Sequence, residues 1–241
     1  RVMIKNMDEN ILAEKLLDAS FWDRIGRWSL YLLGFLVPLW ALPYTASPLI
    51  TNKVALSYFL IILSFLCWLI GRINTGSVTL PKNYLALALV LMVAAWAASG
   101  AFSLSPHASF FGFSDDPSSF FAVTMFVLAA FTAYFYLRSP ENVFFWLSSF
   151  FVSAFLVFFI QFLRLMFDLN VFWWIDFSSP VSNVFGSWTD FGIFFSLIGV
   201  LSVFFFEVLA GWKPRVLFLG LSVLSLMAAA AVNNRIVWWT S

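Results

Sequence analysis

The sequence predicts an all-α fold: a polytopic transmembrane helical bundle of about seven spans with a cytoplasmic N-terminus. Three observations carry this. Of 241 residues, 62% are hydrophobic and 10% charged, whereas a soluble domain is about 25% charged. With so few polar residues the chain has no means to cover a globular surface, so lipid must be its solvent. Second, apolar runs recur along the chain, each near the roughly 20 residues a bilayer requires, and the mean hydropathy is +0.94. Third, the 32 phenylalanines suit acyl chains and the 12 tryptophans suit the headgroup level.

Residues 1–24 are mixed in charge. Ile4, Met7 and Ile11 recur at helical spacing, but Glu14 and Asp18 fall on the same face. A short helix on the cytoplasmic surface and a solvated leader both fit. Residues 25–241 form the transmembrane domain, cut short at its C-terminal end. Arg24, Arg27 and Trp28 stand where interfacial anchors belong. Span 1 covers 28–44, with Pro38 and Pro43 predicting a kink or an early end. A loop at 46–53 holds Lys53, and span 2 covers 54–70. Span 3, at 84–102, leads into a polar loop from Ser99 to Ser119 that carries the sole histidine and no lysine or arginine. Asp116 and Pro117 read there as an N-cap and a first-turn proline.

Span 4 covers 120–137, and Ser139 caps the next helix, with span 5 at 143–163. Residues 164–190, with Trp173 and Trp174, are too apolar for free solution and read as lying along the membrane surface. Span 6 covers 191–206 and span 7 covers 216–232. Neither end reads as a natural terminus, and nothing reads as a cleavable signal peptide.

Lysine and arginine set the sidedness. Arg24, Arg27, Arg72, Lys82, Arg138, Lys213 and Arg215 fall on one side if the N-terminus is cytoplasmic. The outer side keeps Lys53, Arg164 and Arg235, together with the Ser99–Ser119 loop.

Most catalytic chemistries find no residues here. A net charge of +1 makes no case for nucleic acid. One cysteine, Cys67, rules out an intramolecular disulfide and reads as a small buried hydrophobe. No metal constellation, cofactor motif or phosphate loop is present, and a single histidine leaves no Ser-His-Asp or Cys-His arrangement to argue. We assign no catalytic residue. His107, in a polar loop after a proline, reads first as a surface residue.

Charges at the outer ends of spans are more informative: Arg164 ends span 5, Asp190 opens span 6 and Arg235 follows span 7. Such groups face protein or water, since burial against lipid is costly. Two arginines on one face make a clamp for a diphosphate. Snorkelling to the headgroups is the other reading. The binding candidates are therefore Arg235, Arg164, Asp190 and His107.

Ser99, Phe102, Ser103, Pro106, Ser109 and Gly112 reproduce a loop spacing that resembles the O-antigen ligase and polymerase family of bacterial membrane proteins. The Phe185-Gly186-Ser187 segment is similar to that family's Phe-Gly-Thr lead-in to a later span, and Asn234-Arg235 is similar to its Ser-Arg element. The chain departs from the pattern at Ser114, Asp115, Asp116, Thr189, Asp190 and Asn234. The resemblance implies a multi-pass protein of the bacterial inner membrane. It implies a metal-independent glycosyltransferase that moves a glycan from a polyprenyl-diphosphate carrier to a lipid or glycan acceptor on the outer face. It also implies that arginines hold the diphosphate, with Arg235 the best match, and that the catalytic loop lies beyond this chain. A non-catalytic polytopic protein is the alternative, either a transporter of lipid-linked glycan or a scaffold subunit. Small residues such as Gly34, Ala94, Ala98 and Gly199 would then pack against a membrane-protein partner.

Overall fold

The computed structural model describes residues 2–41, 50–76, 84–112, 117–167, 183–209 and 211–232. Among these residues the chain is all-helical. The elements are α1 (Val2–Leu39), α2 (Ile50–Thr75), α3 (Tyr84–Ala101), α4 (Pro106–Phe111), α5 (Phe120–Tyr136), α6 (Pro140–Phe167), α7 (Trp188–Val208) and α8 (Trp212–Val232). Helices α2, α6, α7 and α8 are long and apolar enough to cross a membrane. At 1.5 Å per residue, α2 is about 39 Å long against a hydrocarbon core of about 30 Å. The apolar α3 and α5, of 18 and 17 residues, come just short of that core.

Several boundaries differ from the sequence reading. The charged leader and the first apolar run are one helix of 38 residues, which stops right after Pro38. Pro38 sits in the last turn, where its missing N–H and its ring weaken the bonding to the turn before it. Lys53 is not in a loop: the first turn of α2 begins at Ile50 and contains it. The N-cap of α5 is Ser119, whose hydroxyl accepts from the Ala122 amide at 3.2 Å, and not Asp116. The indole of Trp96 donates to the Ser118 carbonyl at 2.9 Å, in the turn at 117–118 just ahead of that cap. Ser139 caps α6 as expected, accepting from Asn142 N at 3.2 Å.

The chain divides into two compact units. Unit one comprises Arg1–Leu33 and Val54–Trp146. Its core is aromatic: Leu30, Trp68 and Tyr136 are buried, with Phe65, Phe131, Phe135 and Trp146 packed on them. The Trp68 and Phe131 rings meet edge-to-face at 4.9 Å, the arrangement that ring quadrupoles favour. Two polar ties gather one end of this unit. Arg72 of α2 pairs with Asp23 of α1, and Arg27 of α1 donates to Asn142 of α6 at 3.3 Å.

Unit two comprises Gly34–Lys53 and Leu147–Ser241. Its core joins Phe151, Ala154 and Val157 of α6, Phe191, Phe195, Ile198 and Phe205 of α7, and Phe218 and Ala228 of α8. Steps of three, four and seven residues place the α6 and α7 sets each on one helix face. Helix α7 buries two serines among its core aromatic residues and turns an apolar face outward. Ser196 and Ser202 are buried, whereas Leu197, Val200, Val203 and Phe204 are more than half exposed. Water would punish that arrangement and lipid favours it, because helices in lipid associate through small and polar residues. At Gly199 a Cβ would stand in ordinary van der Waals contact, 3.4 Å, with Ser225 Cβ on α8.

Candidate functional site

The family-like motifs have local jobs. In the Ser99–Gly112 stretch, Pro106 opens α4 and Gly112, at φ 72°, closes it. Ser109 donates to Ser103 across the turn at 2.7 Å. The helix has six residues, and His107 stands exposed on it, 5.3 Å from the Phe111 ring. The structure therefore places His107 as a surface residue of unit one. In the second motif, Asn183 accepts from Phe185 N at 2.8 Å, and Gly186 takes a φ of 95°. Ser187 then caps α7, accepting from Asp190 N at 3.1 Å and donating to the Asp190 carboxylate at 2.6 Å. Asp190 is thereby held in a reciprocal cap at the helix N-terminus, where the helix dipole also favours its charge.

The lead-in to α7 buries a cation that the sequence reading put in an outer loop. Lys53 is 8% exposed. Its ammonium donates to Pro38 O at 2.8 Å and Val184 O at 2.7 Å, and lies 4.3 Å from the Phe185 ring centre. The Asp190 carboxylate acts on it through space. The Pro38 carbonyl belongs to the last turn of α1, where orphan acceptors and the negative end of the dipole await a donor. Hydropathy alone gave no hint of this tie, since a lysine beside an apolar run ordinarily marks a boundary.

On the other side of the first turn of α7 lies a cleft of about 150 Å³. Gln161, Phe162, Leu165 and Met166 come to it from the end of α6, Trp188 and Phe191 from the start of α7, and Met227 and Ala228 from the end of α8. The walls are apolar, but Gln161 is not. It is 3% exposed, and both its amide oxygen and its amide nitrogen lack a hydrogen-bond partner. An orphaned amide in an apolar cleft is costly unless something polar meets it. Phe191 links the two features, lining the cleft and meeting Phe185 at 6.1 Å.

Of the predicted binding residues, the structure puts Arg164 and Asp190 at this end of unit two. Arg164 is half-buried in the last turn of α6, one turn beyond Gln161. Arg235 lies outside the described residues, as do Asp115, Asp116, Trp173, Trp174 and Asn234. Gln161, Asn183 and Lys53 were missed. Gln161 had one available signal: an amide within a run of phenylalanines asks for a partner. No group of three or more metal-ligating side chains occurs among the described residues.

Helix length, apolar composition and the apolar outward face of α7 define a class, the multi-pass helical membrane proteins. No family model matches the chain, and no curated protein or solved structure matches it.

Proposed function

We propose that this chain is the N-terminal part of an O-antigen-ligase-like membrane glycosyltransferase of a bacterial inner membrane. It acts at the outer face on a glycan carried by polyprenyl diphosphate. The observation that carries this reading is the cleft at the ends of α6 and α8 and the start of α7. It offers apolar walls to an isoprenoid chain and one unpartnered amide, from Gln161, to a polar head. In this reading Arg164 and Arg235 hold the diphosphate, and Asp190 keeps the first turn of α7 in register beside it. His107 stays a solvated residue of α4.

Binding of a polyprenyl diphosphate to the purified chain tests the reading. Arg164→Ala and Arg235→Ala should each weaken binding about tenfold, the cost of one charge-assisted contact. Binding unchanged in both variants removes the diphosphate role.

The same reading takes about seven spans with the N-terminus in the cytoplasm. It is supported by Arg72 and Arg27, which are assigned to that side and tied to Asp23 and Asn142 at one end of unit one. A Ser105→Cys probe in a Cys67→Ala background should react with an impermeant maleimide from the outer face of intact cells. Reaction from the cytosolic face alone reverses the map.

A specific observation also favours a non-catalytic scaffold. Between α7 and α8 runs a groove of about 230 Å³ lined by Ser196, Gly199, Ser222 and Ser225 among apolar residues. The Ser196 and Ser225 hydroxyls have no partner. Small and hydroxyl-bearing residues of this kind are what a second transmembrane helix packs against.

A further inference from the structure

The polar end of unit one holds a second cavity, of about 330 Å³. Asp23 and Arg27 reach it from successive turns of α1, and Arg72 from the last turn of α2. Arg138 and Ser139 come from the connection between α5 and α6, Asn142 from the first turn of α6, and Trp68, Phe135 and Tyr136 provide its aromatic wall. Three guanidinium groups thus face one carboxylate. Asp23 is spent on Arg72, with which it pairs at 2.5 Å. Arg27 donates to the Asn142 side-chain oxygen at 3.3 Å, a long bond, and Tyr31 donates to that oxygen at 3.1 Å. Arg138 is exposed and stacks over the rings of Tyr134 and Phe135 at 5.2 Å from each. Stacking uses the face of a guanidinium and leaves its N–H edge to donate.

The lining also contains buried polar atoms without hydrogen-bond partners: Tyr136 OH, Trp68 Nε1, Arg72 Nε and one oxygen of Asp23. Trp68 and Tyr136 are 4% and 7% exposed. Three of those four atoms are donors. A cavity with surplus positive charge and surplus donors is complementary to a small oxyanion, and the planar fork of arginine suits phosphate oxygens in particular. Its volume is near the lower end of the range for small-ligand sites. It lies where the apolar lengths of α2 and α5 end, the depth at which phospholipid headgroups sit.

We propose that this cavity is a phosphate-binding site, taking either the headgroup of an anionic phospholipid or a free phosphate. The proposal does not rest on the lipid-linked glycan reading, since every residue in it belongs to unit one. Two arms separate the sources. In one, the full chain in detergent is titrated with inorganic phosphate by calorimetry. In the other, the chain is recovered from nanodiscs of phosphatidylcholine with or without phosphatidylglycerol, and retained phospholipid is identified by native mass spectrometry. Retained phosphatidylglycerol without phosphate binding assigns a lipid headgroup, and the reverse assigns free phosphate.

The Arg27→Gln, Arg138→Gln double variant leaves the Arg72–Asp23 pair intact and should weaken whichever ligand binds at least about tenfold. Arg138→Gln alone alters an exposed side chain, so it reports on binding even if the double variant folds poorly. Asp23→Asn removes the competing carboxylate and should tighten binding several-fold. Binding of neither probe overturns the proposal. So does an affinity unmoved by the arginine variants, or one that falls in Asp23→Asn at an unchanged melting temperature.

Discussion

Replacing Lys53 with methionine is expected to cost about 2–4 kcal/mol of stability, the penalty of orphaning buried acceptors of a charged donor. The ammonium satisfies carbonyls from two segments remote in sequence, Pro38 at the end of α1 and Val184 ahead of α7. It is carried by the first turn of α2, so three parts of unit two meet at one atom. Methionine matches much of the volume but donates nothing. The Val184 carbonyl then loses its donor in a residue that is 2% exposed. Some of the loss returns, because a buried ammonium is itself expensive to desolvate. Reversible unfolding in mixed micelles measures the difference. A loss below about 1 kcal/mol, the range of exposed ion pairs, would mean that the tie is incidental.

Gly26→Ala is expected to cost about 2–3 kcal/mol even though alanine favours a helix over glycine by about 1 kcal/mol. Gly26 is buried on α1, and its carbonyl accepts from Ser64 Oγ of α2 at 3.0 Å. A Cβ at this position would meet the Tyr136 ring, 2.7 Å from Cε2. Neither partner can retreat readily, because Tyr136 is 7% exposed and part of the aromatic core of unit one. Truncating the ring should relieve the clash. The Gly26→Ala, Tyr136→Leu pair should therefore lose at least about 1 kcal/mol less than the sum of the single variants. Additive losses would show that the ring is not what excludes the methyl group.

Much of the secondary structure was legible because it is written locally. The spans at 54–70, 143–163, 191–206 and 216–232 fall within α2, α6, α7 and α8, since twenty apolar residues in lipid can satisfy their backbone only as a helix. Ser139 was legible for a similar reason: a cap acts over three residues. Ser119, and not the expected Asp116, caps α5; Asp115, Asp116, Ser118 and Ser119 each suit a cap, and the local signal did not choose among them. Arg164 and Asp190 were found as charges at span ends, yet the cleft at the same end of unit two was not, as its walls come from three helices.

The sequence by itself determined that lipid surrounds most of this chain, that it is helical, and where most of its apolar helices run. Those properties depend on composition and on interactions within a turn or two. Tertiary structure alone decided that Lys53 is a buried tie and that Gln161 sits unpartnered in an apolar cleft. It alone brought Arg27, Arg72 and Arg138 to one cavity. The reason is that a buried polar group is defined by the partner it meets, and here the partners lie tens of residues away along the chain.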